Sequence, residues 1–135
     1  MEYHFGRLID HVQLVVTDLE TSKRFYRAAL KSLGRDISGE GDGYFFADEL
    51  FVSPGDHHTH VHLAFQSPDR DGVHRFYEAA LAAGGTDNGA PGERHYHPGY
   101  YAAYVLDPDG NNIEAVNHGP ATRSAASVAI KPAGI

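Results

Sequence analysis

The chain has 135 residues, room for one compact domain and too few for two independently cored ones. Eleven Lys and Arg against eighteen Asp and Glu leave a net charge of −7, which repels phosphate backbones and anionic lipid and argues against nucleic-acid and membrane partners. Hydrophobic residues at 41% exclude intrinsic disorder, and the absence of cysteine excludes disulfide frameworks, thiolate zinc sites, iron–sulfur clusters and cysteine nucleophiles.

The first residues lack the basic and apolar regions of a secretory signal, and no apolar run approaches the ~20 residues that span a bilayer, so a cytoplasmic protein is expected. Residues 8–16 then alternate, with Val12, Leu14 and Val16 on one face and His11 and Gln13 on the other, the period of a strand. Asp18 stands where an N-cap belongs, and Phe25, Tyr26, Ala29, Leu30 and Leu33 follow at helical spacing up to a stop at Gly34. Short strand-like runs occupy 44–47 and 50–52. Residues 60–66 alternate again, with Val61, Leu63 and Phe65 opposite His60, His62, Ala64 and Gln66. Asp69 caps a second helix with a Val73, Phe76, Tyr77, Ala80 and Leu81 stripe, ended by Gly84 and Gly85. A Gly/His/Tyr-rich segment at 89–99 reads as an irregular loop covering a site. Strand-like runs at 100–106 and 112–117 are joined by a tight turn at Asp107-Pro108-Asp109-Gly110. The weakly patterned residues 119–135 read as a C-terminal extension with no assigned role.

These elements repeat. Residues 24–30 (RFYRAAL) return as residues 75–81 (RFYEAAL), a shift of 51 that also carries Asp18 to Asp69 and His11 to His62. The single domain, 1–135, therefore consists of two copies of one strand–helix–strands unit, 8–55 and 60–118, in an α+β protein. Two modules of this size would each bury too little surface to be stable alone.

The repeat also selects residues for chemistry. His11 and His62 hold matched positions on the polar faces of the two first strands, and Glu114 alternates away from Ile113 and Ala115 on the last strand. Two imidazoles and one carboxylate suit a divalent transition metal and leave coordination positions open for water, substrate or dioxygen. The alternative for any one of them is a hydrogen-bonded strand residue, and the helical aromatic stripes are core.

His11-Val12-x-Leu14-x-Val16-x-Asp18-Leu19 leading to Phe25-Tyr26, then His62-x-Ala64-Phe65, then Leu106-Asp107-Pro108-Asp109-Gly110-Asn111-x-Ile113-Glu114 resemble the vicinal oxygen chelate superfamily, which includes glyoxalase I, extradiol dioxygenases and bleomycin-resistance proteins. The resemblance covers about residues 8–118. It implies tandem βαβββ modules forming a cupped mixed eight-stranded sheet with helices outside, and a metal held by His11, His62 and Glu114. It also implies a homodimer, with modules paired within a chain or exchanged between chains. Leu50-Phe51-Val52-Ser53 offers no fourth ligand of the glyoxalase I kind, and Glu49, the only carboxylate nearby, would need a register shift. A three-ligand site is similar to extradiol dioxygenases, so Fe2+ is favoured over Mn2+, Ni2+ or Zn2+. Those enzymes also resemble this chain in the spacing of His95, Tyr104 and Glu114. His95 or His97 is then expected as acid/base, and Tyr104 as a hydrogen-bond donor to substrate oxygen.

The expected function is a metal-dependent dioxygenase or lyase/isomerase acting on a small substrate with two neighbouring oxygens. The competing expectation is a bleomycin-resistance-like binding protein without catalysis, which generally lacks the metal triad. Thiol transfer to an epoxide antibiotic would need a potassium loop and a substrate-directed Thr that are not found.

Overall fold

The computed structural model describes residues 3–6 and 8–133; residues 1, 2 and 7 of the expected domain, and 134 and 135 of the expected extension, lie outside the described residues. After a short β1 (Tyr3–Phe5), the first module runs β2 (Val12–Val16), α1 (Leu19–Ser32), β3 (Gly39–Gly41), β4 (Tyr44–Ala47) and β5 (Leu50–Pro54). The second runs β6 (His62–Gln66), α2 (Arg70–Ala82), β7 (Thr86–Glu93), β8 (Tyr101–Leu106) and β9 (Asn112–Asn117), with β10 (Val128–Ile130) near the C-terminus. The sheets have the same topology, β2-β5-β4-β3 and β6-β9-β8-β7. In each, the module's first strand lies parallel to its last and the remaining pairs are antiparallel. The tandem βαβββ architecture that the resemblance implies is thus present, its eight strands divided four and four.

The helices form where the sequence supplies caps and a stripe. Asp18 accepts from the Thr21 amide at 3.0 Å and Asp69 from the Gly72 amide at 2.7 Å, satisfying first-turn donors. Gly34 (φ 80°) and Gly84 (φ 103°) take the left-handed conformation that stops each helix without a Cβ clash. Phe25, Tyr26 and Ala29 of α1 and Val73, Phe76 and Ala80 of α2 are buried in one core with Leu14, Val16, Phe45 and Val52 of the first sheet and Ala103, Val105, Ile113 and Ala115 of the second. Each large side chain withdrawn from water contributes about 2 kcal/mol, and the core draws on both modules. Alternation then turns the other side of each sheet outward.

Asp107, in the predicted turn, accepts from the Asp109 and Asn111 amides at 2.9 and 2.8 Å and from Asn111 Nδ2 at 2.9 Å. The i to i+3 bond from Gly110 N to Asp107 O, 2.9 Å, closes the turn. Asn111 Oδ1 receives the Val61 amide at 2.9 Å, tying the turn to the entry of β6.

Several boundaries differ from the sequence expectation. β2 begins at Val12 and β6 at His62, so His11 precedes its strand and His62 opens one. The glycines of 89–99 are only partly loop: β7 runs to Glu93 beside β8, and register shifts at Asp87/Gly89 and Gly89/Gly92 absorb them. The irregular loop shrinks to 94–100. The extension contributes β10, antiparallel to β1, and Arg123 Nη1 donates to Gln66 Oε1 at 2.5 Å. Among the described residues no helix is long and apolar enough to cross a membrane.

Candidate metal and substrate site

On β9, Ile113 and Ala115 enter the core, so Glu114 points to the opposite side of the sheet, in register with Ala64 of β6 and Tyr104 of β8. It is nevertheless 1% exposed. Its Oε1 accepts from His62 Nε2 at 2.7 Å and its Oε2 from the Tyr100 hydroxyl. A buried carboxylate is tolerated because both oxygens are satisfied. The His62 side chain is 54% exposed, so the pair is reached from solvent.

Two tyrosines complete the setting. The Tyr104 ring lies 6.0 Å from that of His62, and the Arg94 guanidinium carbon stands over the Tyr104 ring, 5.2 Å from its centroid. Burial first, then the Glu114 charge, raises the Tyr104 phenol above its ordinary value. Burial, then the hydrogen bond and charge of Glu114, raises Tyr100 much further. Both phenols therefore remain protonated donors at neutral pH.

The loop histidines sit elsewhere. Residues 94–100 are closed by Arg94 N to Tyr100 O at 2.9 Å and Tyr100 N to His97 O at 3.1 Å. His97 Nδ1 donates to Pro98 O at 2.8 Å, which makes Nε2 the acceptor for His118 Nδ1 at 2.9 Å. The His97 and His118 rings stack 5.1 Å apart, and His95 lies against Tyr96 at 4.8 Å. Of the expected acid/base and substrate residues, the structure brings Tyr104 to Glu114; His95 and His97 instead make these loop contacts.

His11 is also apart. Its side chain is 65% exposed, and its Nδ1 lies 2.7 Å from Asp10 Oδ1. The far end of β2 meets the connection between the modules, Val15 O receiving the Thr59 amide at 2.9 Å, and the second module, the Thr17 amide reaching Asp109 at 3.2 Å. His11 is at the other end of that strand, about 13 Å from Val15 at the usual rise per residue. Among the described residues no three His, Cys, Asp or Glu side chains are grouped to hold a metal.

The outward side of the first sheet is aromatic. Tyr44 lies near-parallel to Phe51 (5.6 Å, 12°) and to Phe46 (6.4 Å, 14°), all three half-buried. Gly39 and Gly41 of β3 make room for them: a Cβ there would stand 2.7 Å from the Phe46 ring and 2.6 Å from the Tyr44 ring. Gln13 Nε2 donates to Ser53 Oγ at 2.9 Å beside this shelf. A hollow of about 640 Å³ lies instead between Asp48, Glu49, Gln66, Arg123 and Ser127. Glu49, raised by burial and by Asp48, belongs there and not with His62 and Glu114. The His62–Glu114 pair sets a fully buried carboxylate beside an accessible imidazole, whereas Glu49 of the hollow is only half-buried.

The sequence patterns do not single out Tyr100 or His118. Tyr100 shares the strand parity of Tyr104, a usable signal, but it stands at a loop–strand junction where alternation weakens. His118 follows β9, where alternation no longer orients a side chain.

Comparison with known proteins agrees with the repeated-module fold. The family model of the Glyoxalase/Bleomycin resistance protein/Dioxygenase superfamily matches residues 8–115. The chain is 32% identical over 126 residues to the uncharacterized protein YqjT of Bacillus subtilis (strain 168), covering 78% of this chain and 95% of that one. It is similar in structure to a glyoxalase/bleomycin resistance protein from Albidiferax ferrireducens T118, with TM-score 0.70 and 32% identity over 82% of this chain and 98% of that chain. A glyoxalase-related enzyme from Fulvimarina pelagi shares the fold at TM-score 0.63 and 22% identity, covering 88% and 99%. With a family match across both modules and the repeated βαβββ topology, the chain belongs to the glyoxalase/bleomycin resistance protein/dioxygenase superfamily.

Proposed function

We propose that the protein is a divalent-metal enzyme of the glyoxalase/dioxygenase type whose small substrate presents two neighbouring oxygens to the ion. The observation that carries this reading is the His62–Glu114 pair, an imidazole nitrogen and a buried carboxylate oxygen 2.7 Å apart on an outward sheet face. The donor set fits Fe2+, Mn2+, Ni2+ or Zn2+, with Fe2+ favoured by a three-ligand set. When bound, the ion would supply Lewis acidity toward the substrate oxygens.

Two ligands from one chain are too few, and the third is His11. Because His11 stands on the outward side of the first module, a second copy of the chain supplies it, the first sheet of one copy facing the second sheet of the other in a homodimer. Asp10 on His11 Nδ1 leaves Nε2 as the ligating atom. Tyr104 donates to a substrate oxygen, and His95 or His97 of loop 94–100 serves as proton acceptor.

A second reading, binding without chemistry, draws on the Tyr44–Phe46–Phe51 shelf, a platform for a flat apolar ligand. One experiment separates the two. Metal content after anaerobic purification is measured with oxygen uptake on a catechol panel and a hemithioacetal isomerisation assay. The enzyme reading expects about one ion per chain, lost in His62→Ala and Glu114→Gln together with turnover. Less than about a tenth of an equivalent after reconstitution overturns it, and unchanged ligand affinity in His11→Ala favours the binding protein.

A further inference from the structure

We infer that Tyr100 is a positioning residue for Glu114, its hydroxyl tying off Oε2 so that Oε1 alone stands beside His62 Nε2 for the metal. This rests on the reading of His62 and Glu114 as metal ligands. A glutamate carboxylate turns freely about its last torsion, so an unheld Glu114 would offer either oxygen or both. In the metal-free chain His62 Nε2 donates to Oε1 and Tyr100 to Oε2; with an ion bound, Nε2 gives up that proton to present its lone pair, and the Tyr100 hydroxyl alone fixes the carboxylate plane.

Tyr100 is itself held. Its amide donates to His97 O at 3.1 Å and its carbonyl accepts from Arg94 N at 2.9 Å. The Tyr96, His97 and His118 rings stand edge-on around it at 4.9, 5.4 and 5.1 Å. Loop 94–100 and the stacked His97–His118 pair therefore act together as the mount for one hydroxyl. Monodentate ligation by Glu114 follows, leaving coordination positions to the substrate.

Tyr100→Phe keeps the ring and removes the hydroxyl. The full-length protein is titrated with Co2+ alone, and affinity and the visible d–d spectrum are recorded for wild type, Tyr100→Phe and His62→Ala. Tyr100→Phe is expected to bind about tenfold more weakly, with weaker d–d absorption as the freed Oε2 joins the ion and raises its coordination number. Tyr100→Phe matching wild type in affinity and spectrum, while His62→Ala loses the ion, overturns the positioning role and leaves the site standing. Wild type and His62→Ala binding alike overturns the site and the positioning role together. Should Tyr100→Phe fail to fold, His118→Ala removes one ring wall and keeps the hydroxyl; it is expected to weaken Co2+ binding with the same spectral direction, and wild-type behaviour overturns the inference.

Discussion

The Tyr26 hydroxyl of α1 donates to Asp107 Oδ2 at 2.5 Å, joining a helix of the first module to the β8–β9 turn of the second. Both side chains are buried, Tyr26 at 0% and Asp107 at 4% exposure. Asp107 is thus a hub on which Tyr26, Asp109 and Asn111 all converge, and Asn111 passes the connection on to the entry of β6.

Removing the hub leaves several buried donors without partners. Asp107→Ala is expected to cost about 3–5 kcal/mol, and Tyr26→Phe, which removes one donor, about 1–2 kcal/mol. Urea denaturation of the two variants measures both. Equal, small losses would show that the turn holds its shape without the carboxylate.

The same pair sets a dependence on alkaline pH. Burial, then the charge and hydrogen bond of Asp107, raises the Tyr26 phenol well above its ordinary value of 10.0. Above about pH 10 the unfolded chain loses this proton while the folded chain keeps it, so the folded state binds more protons and stability falls as pH rises. Below about pH 10 both states hold the proton and the contribution is complete. The stability difference between wild type and Tyr26→Phe should therefore be constant from about pH 7 to 9 and shrink above about pH 10. Urea midpoints across that range test it; a difference that stays constant to about pH 11 contradicts the assignment.

If His11 of one copy completes the site of another, two inactive variants must complement. A His11→Ala and His62→Ala mixture, unfolded and refolded together, forms half its dimers with one intact site out of two. About a quarter of the wild-type metal content and turnover is expected, against none from either variant alone. No recovery on mixing overturns the assignment of His11 to the partner copy's site.

Local patterns carried well where burial has one direction. The Phe25–Tyr26–Ala29 and Phe76–Ala80 stripes, the Asp18 and Asp69 caps and the Gly34 and Gly84 stops were all legible, because each depends on neighbours within a turn. Glu114 was legible as a residue facing away from the core, since alternation fixes its side of the sheet. That it would be 1% exposed was not, because His62 and Tyr100 arrive from distant segments. The reach of β7 to Glu93 was hidden by glycines and Pro91, which read as loop; register shifts accommodate them once β8 is alongside.

By itself the sequence determined the repeated module, the sidedness of its strands and helices, and the residue types able to hold a divalent ion. Period, caps and a 51-residue offset are properties of the chain, present before it folds. Tertiary structure decided which of those residues meet. It brought His62, Glu114, Tyr100 and Tyr104 together and set His11 at the far end of its strand, because one shared core packs the helices inward and leaves each sheet's other side outward. Distances across a sheet follow from strand order and register, which turns set within a hairpin and long-range packing sets between segments such as β6 and β9.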